Sequence, residues 1–130
     1  MRMFDMSAKT IPEFAREAVE SWSLDSCLVT LGGDGVFALK GGDDGFYVPG
    51  YRIEAVDTVG SGDAFSAGFV YATLNGESFR EACSFGNVLG ALVATKKGGT
   101  EALAEEEIGR LLHAKDSVRT TRQDLARYRA

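Results

Sequence analysis

The sequence predicts an α/β domain in three layers: a mainly parallel sheet with helices on its faces and an antiparallel hairpin. Three observations carry this. An amphipathic helical stretch runs directly into a short, wholly apolar run. Two glycine-rich turns then separate further short strands. Finally, a strand, a glycine-rich bend and a buried helix follow one another between Tyr51 and Gly76. Strands alternating with helical patterns are the mark of an α/β architecture.

In chain order, Thr10-Ile11-Pro12-Glu13 is a capping box with proline in the first turn. Phe14, Ala15, Ala18, Val19 and Trp22 give that helix its apolar face. Cys27-Leu28-Val29-Thr30-Leu31 reads as a strand buried on both faces of a parallel sheet. Helix then strand is half of a βαβ unit whose first strand is not evident. Gly32-Gly33-Asp34-Gly35 leads into Val36–Lys40, and Gly41-Gly42-Asp43-Asp44-Gly45 into Phe46-Tyr47-Val48. Both turns read as hairpins, since Gly and Asp dominate short turns. The second is a solvated loop; the first can also turn backbone N–H groups toward phosphates.

The organising stretch is Asp57-Thr58-Val59-Gly60-Ser61-Gly62-Asp63-Ala64-Phe65. Tyr51–Val56 before it reads as a strand, and Ala64–Leu74 after it as a buried helix closed by Asn75-Gly76. Gly60 and Gly62 allow positive φ and gather N–H groups at one point, to which the helix adds its own unpaired donors and dipole. Such a place holds an anion, most often phosphate. Asp63 would repel a resident phosphate, but it can orient an incoming hydroxyl and take its proton during phosphoryl transfer. The competing reading is that Asp63 caps its helix.

Downstream, Ser78-Phe79-Arg80-Glu81 opens a second capped helix reaching Ala94, with Gly86 and Gly90 on one stripe and Asn87 as its polar interruption. The stripe fits close helix packing or a flat ring, and Asn87 is a ligand contact or a satisfied core amide. Lys96-Lys97-Gly98-Gly99 ends the helix with cations and glycine. Glu101 to His113 reads as a further amphipathic helix, with His113 structural at its end. Residues 115–130 form a polar basic tail, expected to be mobile or docked on a partner chain.

The 130 residues make one domain, with 45% apolar and 25% charged residues as in an ordinary globular protein. A net charge of −5 argues against nucleic acid. No apolar run reaches the length of a membrane span, and the opening residues lack a secretory signal. Cys27 and Cys83 read as small buried hydrophobes in a reducing, cytoplasmic setting. The phosphate-loop lysine motif is absent, Phe65 and Asp63 disfavour a dinucleotide fingerprint, and Ser66 falls inside a helix rather than on a hydrolase elbow.

Asp57 through Phe65 and the small-residue helix beyond resemble the C-terminal signature of the ribokinase-like, PfkB-type carbohydrate kinases, usually Asp-Thr-x-Gly-Ala-Gly-Asp. Val29–Val36 resembles that family's Thr-x-Gly-x-x-Gly nucleotide loop. Phe85-Gly86-Asn87 through Gly99 resembles the helix and loop closing its adenine pocket. The three motifs occur in family order over about residues 24–113. The resemblance implies a ribokinase-like three-layer fold, C-terminal portion only, and transfer of a phosphoryl group from ATP with Mg2+ to a hydroxyl of a small sugar-like molecule. It places Asp63 as the base, with Gly60, Ser61 and Gly62 as the anion hole. Thr30, Leu31, Gly32, Gly33, Asp34, Gly35, Gly62 and Asn87 fall on the nucleotide side. A monovalent cation such as K+ falls beside Asp57, Val59, Val93, Lys96 and Gly98, mostly through carbonyls.

Family members are more than twice as long, and their N-terminal half carries the sugar-binding glycine pair, the lid and an Asn-x-x-Glu motif, none of which is found here. The expectation is therefore a C-terminal nucleotide-binding portion over residues 1–114, incomplete or inactive alone. It would dimerise or need an absent N-terminal half. The alternative is a non-catalytic nucleotide-binding or assembly module left by truncation.

Overall fold

The computed structural model describes residues 8–99, 102–115 and 118–129. Helix α1 (Ile11–Ser21) begins as its sequence dictates: Thr10 Oγ1 accepts the Glu13 N–H at 3.3 Å, and proline occupies the first turn. The Glu13 carboxylate closes the box on the Lys9 N–H at 3.1 Å, one residue earlier than expected. Ala15, Ala18 and Val19 form the buried face, whereas Phe14 and Trp22 stay 36% and 42% exposed. Only the small residues fit where the helix lies against the sheet; the rings flank it.

The sheet contains β1 (Ser26–Thr30), β2 (Gly35–Lys40), β3 (Phe46–Tyr51) and β4 (Arg119–Thr120), in that spatial order. Every ladder among the described residues is antiparallel: the expected hairpin is present, and the parallel ladder expected of the wider sheet is not found among these residues. For β1–β2 and β2–β3 the reason is loop length: connections of four and five residues can only reverse a strand, whereas a parallel pair needs a crossover of roughly a dozen or more. A single parallel bridge joins Tyr47 and Arg129. The buried strands are β2 and β3 rather than β1. Among the described residues β1 pairs with β2 alone, and it is half-buried from Ser26 to Val29.

Three layers follow from the alternation along β2. Phe37 and Leu39 face α1, packing with Ala15, Val19, Tyr47 and Leu125. Val36 and Ala38 face the opposite side, with Val48, Phe65 and Cys83. That side is covered by α2 (Ser61–Leu74) and α3 (Phe79–Ala94). Both halves of the Ser78–Glu81 capping box form, at 3.0 and 3.1 Å. The expected strand through Val56 stops at Tyr51 because its donors go elsewhere. The Arg52 N–H binds the Val118 carbonyl at 2.6 Å, and those of Val56 and Asp57 bind the Ala94 carbonyl at 2.8 and 3.1 Å.

Helix α4 (Glu105–Leu112) seats Leu103, Ile108 and Leu111 against Tyr51, Val88 and Leu92. It starts later than the sequence suggests, and Glu101 lies outside the described residues. The described part of the tail, expected loose or partner-bound, packs on its own chain. Arg119–Thr120 pairs with Gly50–Tyr51, and Arg119 donates to the Gly50 and Pro49 carbonyls at 3.1 and 2.6 Å. Its guanidinium lies 4.0 Å from the Tyr51 ring centre. Leu125, on a 3₁₀ helix spanning Gln123–Tyr128, is fully buried in the α1-side core. This segment covers an edge strand that would otherwise expose unpaired backbone.

Both cysteines are free, and burial pushes the Cys83 thiol up to about 12. Among the described residues no helix is long and apolar enough to cross a membrane. The outer face of α2 is apolar and open: Val70, Tyr71 and Leu74 are 52%, 61% and 81% exposed.

Candidate functional site

The Gly32–Gly35 turn and the Gly60–Gly62 bend lie at one end of the sheet. The register sets Thr30 opposite Val36, and Val36 opposite Val48. Phe65, one turn into α2, packs on Val36 and Val48, so α2 begins over that same end.

The first loop follows Thr30, which is exposed. Gly32–Asp34 forms a single 3₁₀ turn closed by the Leu31 N–H on the Gly35 carbonyl at 2.8 Å and the Asp34 N–H on the Leu31 carbonyl at 3.1 Å. The Gly35 N–H returns to the Gly32 carbonyl. Among the described residues the Gly32 and Gly33 N–H groups carry no hydrogen bond, and both glycines are exposed. Gly35 is required here: its φ is 100°, and a Cβ would collide with the Val48 carbonyl. The hairpin reading and the presentation of free amides therefore coexist in one turn.

In the second loop Gly60 is the N-cap of α2 with φ 80°, and no side chain caps the helix. The capping role considered for Asp63 is thus not the one observed. Asp63 is the third residue of α2, exposed, and its carboxylate has no hydrogen bond or ion pair among the described residues. Ser61 is turned inward: its N–H and its Oγ both donate to the Thr58 carbonyl, at 3.2 and 2.9 Å. That leaves the N–H groups of Gly60, Gly62 and Asp63 without partners among the described residues. A methyl group on Gly62 would meet nothing within 4 Å, so the space above these donors is open.

A third loop closes on the second. Asp57 Oδ1 accepts the Val59 N–H at 3.0 Å and Oδ2 the Gly98 N–H at 3.1 Å. Gly99, at φ 74°, approaches so closely that a Cβ would run into the Val59 carbonyl. Lys96 donates its N–H to the Val93 carbonyl at 3.0 Å and its Nζ meets Glu107 Oε2 at 3.0 Å. That hydrogen bond holds the Glu107 carboxyl below its usual range. Asp57, Val59 and Gly98 are therefore in direct contact, and Val93 and Lys96 sit beside them at the α3 terminus. Among the described residues no group of three or more His, Cys, Asp or Glu could hold a metal ion.

Asn87 is 7% exposed and donates Nδ2 to the Pro49 carbonyl at 2.9 Å, pinning α3 to β3. Its amide donor is thus satisfied in the core. The glycine stripe is filled by α2: a methyl on Gly86 would lie 2.7 Å from the Phe65 carbonyl, and one on Gly90 3.0 Å from that of Ser61. Sequence reasoning missed Tyr47, whose hydroxyl reaches the first loop at the Asp34 carbonyl, 2.5 Å away. An aromatic residue in a strand gives no signal of such a contact. It also missed the side-chain clasp of Asp57, for which Asx-type bonding two residues onward was the available hint.

The profile of the family described as pfkB family carbohydrate kinase matches residues 7–106. A ribokinase of Haemophilus influenzae is 37% identical over 93 residues, covering 70% of this chain and 30% of that protein. A ribokinase structure from Thermotoga maritima superposes with a TM-score of 0.68 at 28% identity, covering 76% of this chain and 33% of the other. A double mutant of Vibrio cholerae fructokinase, with fructose, ADP and potassium ion bound, gives 0.71 at 26% identity, covering 82% and 36%. The chain spans about a third of the length of these relatives.

Proposed function

Because this chain belongs to the pfkB family of carbohydrate kinases, we propose that it supplies the nucleotide-holding and phosphoryl-holding portion of an ATP-dependent sugar kinase. Residues 1–114 make up that portion, and the segment from 115 braces it. One observation carries the reading: Asp63 presents an unpartnered, exposed carboxylate in the turn that also offers the free N–H groups of Gly60 and Gly62.

The chemistry follows from that pairing. The acceptor hydroxyl approaches Asp63, which orients it and takes its proton as the new P–O bond forms and the bond to the leaving nucleoside diphosphate breaks. The amides of Gly60 and Gly62, joined by that of Asp63, hold the transferring oxygens, while Ser61 keeps the bend shut through Thr58. Losing one preorganised donor of this kind costs about 10²–10³ in rate. The turn from Thr30 to Gly35 holds the outer phosphates through the Gly32 and Gly33 amides. Asn87 acts on the adenine side by fixing α3 against β3.

Mg2+ would arrive with the nucleotide, as the described residues offer it no cage of their own. When bound, it neutralises charge on the phosphates. A monovalent cation fits the carbonyl-rich junction of Asp57, Val59, Val93, Lys96 and Gly98, and potassium accompanies ADP in the fructokinase relative.

Transfer of labelled γ-phosphate from Mg-ATP to a panel of sugars tests the proposal. Turnover by the unaltered chain that is abolished in Asp63→Asn supports it; equal turnover in that variant contradicts the role of Asp63. The second reading is a nucleotide-binding module without catalysis, favoured by coverage of only 30% of the ribokinase. Its signature is Mg-ATP binding with no transfer to any acceptor.

A further inference from the structure

Tyr47 is the second residue of β3, with none of its surface exposed, yet its hydroxyl meets backbone from two distant stretches. It stands 2.5 Å from the Asp34 carbonyl and accepts the Arg122 N–H at 3.0 Å, while the Thr120 carbonyl is 3.2 Å away. One hydroxyl proton serves one carbonyl well, and the shorter contact marks Asp34 as its acceptor. We propose that Tyr47 is a positioning residue for the nucleotide loop: its hydroxyl, braced by the segment Arg119–Tyr128, fixes the Asp34 peptide and so aims the Gly32 and Gly33 amides at the outer phosphates. The inference rests on the nucleotide reading of that loop.

The geometry leaves the hydroxyl this task. The loop sits directly on β3, because a Cβ on Gly50 would run into the Gly33 carbonyl and one on Gly35 into that of Val48. Those contacts set how closely the turn approaches the strand, but they do not fix its rotation. A hydrogen bond to the last carbonyl of the turn does fix it, since the peptide plane is rigid. Phenylalanine would fill the same core volume, so the oxygen is what the loop uses. Burial raises the phenol further above its ordinary 10.0. On the other side, the hydroxyl is held by a segment that is itself anchored through Leu125 in the core and Arg119 on the Pro49 and Gly50 carbonyls. The tail thereby reaches the loop through the Tyr47 hydroxyl.

The test is titration of the whole chain and its Tyr47→Phe variant with Mg-ATP, Mg-tripolyphosphate and AMP, which lacks the outer phosphates. Tyr47→Phe should bind ATP and tripolyphosphate about five- to tenfold more weakly and leave AMP unchanged, the share of one oriented hydrogen bond. Arg122→Pro removes the N–H that braces the hydroxyl while keeping Tyr47, and the φ of −80° at this position admits proline. It should show the same selective loss beyond an Arg122→Ala control, and it decides the matter if Tyr47→Phe does not fold. Unchanged ATP affinity overturns the inference, as does an equal loss for AMP, which marks a general structural role. Failure of the unaltered chain to bind ATP removes the nucleotide reading itself, and the inference falls with it.

Discussion

The carboxylate of Asp57 joins two loops that are far apart in sequence: one oxygen takes the N–H of Val59 at 3.0 Å and the other that of Gly98 at 3.1 Å. The turn that leaves the Gly60 and Gly62 amides free has to be held by something other than those amides. This clasp, with the Gly99 backbone against Val59, is what holds it. Asp57→Ala should cost about 1–3 kcal/mol in urea unfolding, since hydrogen bonds to an ionised acceptor are the stronger kind. Hydrogen exchange at the Gly98 amide should lose its protection in the same variant. Unchanged protection would show that the loop is held without Asp57.

The contact between α2 and α3 depends on missing side chains. On Gly86 a methyl group would sit 2.7 Å from the Phe65 carbonyl, a backbone atom that cannot step aside. Gly86→Ala should therefore destabilise by about 1–3 kcal/mol, as overpacking does. Gly109, on α4, has nothing within 4 Å of an added Cβ. Gly109→Ala should instead stabilise by about 0.5–1 kcal/mol, because it removes backbone freedom from the unfolded chain. Thermal unfolding of the pair checks both signs at once.

Leu125 is the measure of how firmly the C-terminal segment belongs to the body. Its side chain is fully buried between α1 and the sheet. Leu125→Ala should cost about 2–5 kcal/mol in equilibrium unfolding, the range for a leucine removed from a packed core. A change within a few tenths of a kcal/mol would assign the segment to the surface.

Cys83 gives the pH dependence. Burial raises its thiol from the ordinary 9.0 to about 12, so the folded state holds a proton that the unfolded state releases earlier. Its contribution to stability is fully present below pH 9.0 and is lost as pH rises toward about 12. Unfolding midpoints measured upward from pH 8 should fall across that window, and Cys83→Ala should flatten the fall. The native thiol should react with a disulfide reagent no faster than the chain opens.

Much of this was legible in the sequence where local chemistry decides structure. The Ser78–Glu81 box, the proline-started α1 and both glycine hairpins were readable because their partners lie within a few residues. The bend at Gly60 was readable for the same reason. Where partners are distant, the reading failed. Arg52–Val56 has strand-like residues, but its N–H groups are taken by Val118 and Ala94. Ser26–Thr30 is apolar enough for a central strand, yet among the described residues it pairs on one side only. Leu125 is an isolated apolar residue amid arginines, too sparse for any period to reveal its burial. Asn87 shows the limit for a site: an amide that faces a ligand and one that binds Pro49 inside the core look identical in sequence. Asp63 was ambiguous in the same way until Gly60 proved to hold the cap position.

The central claim is that the two loops at the sheet's end form a nucleotide site in which Asp63 acts on the acceptor and not on the nucleotide. Calorimetric titration of Mg-ATP into the unaltered chain and into Asp63→Asn tests it most directly. The account predicts saturable binding by both, with the variant equal or tighter because a negative charge beside the phosphates is gone. Absence of binding by both, or binding that disappears when Asp63 is changed, would contradict it.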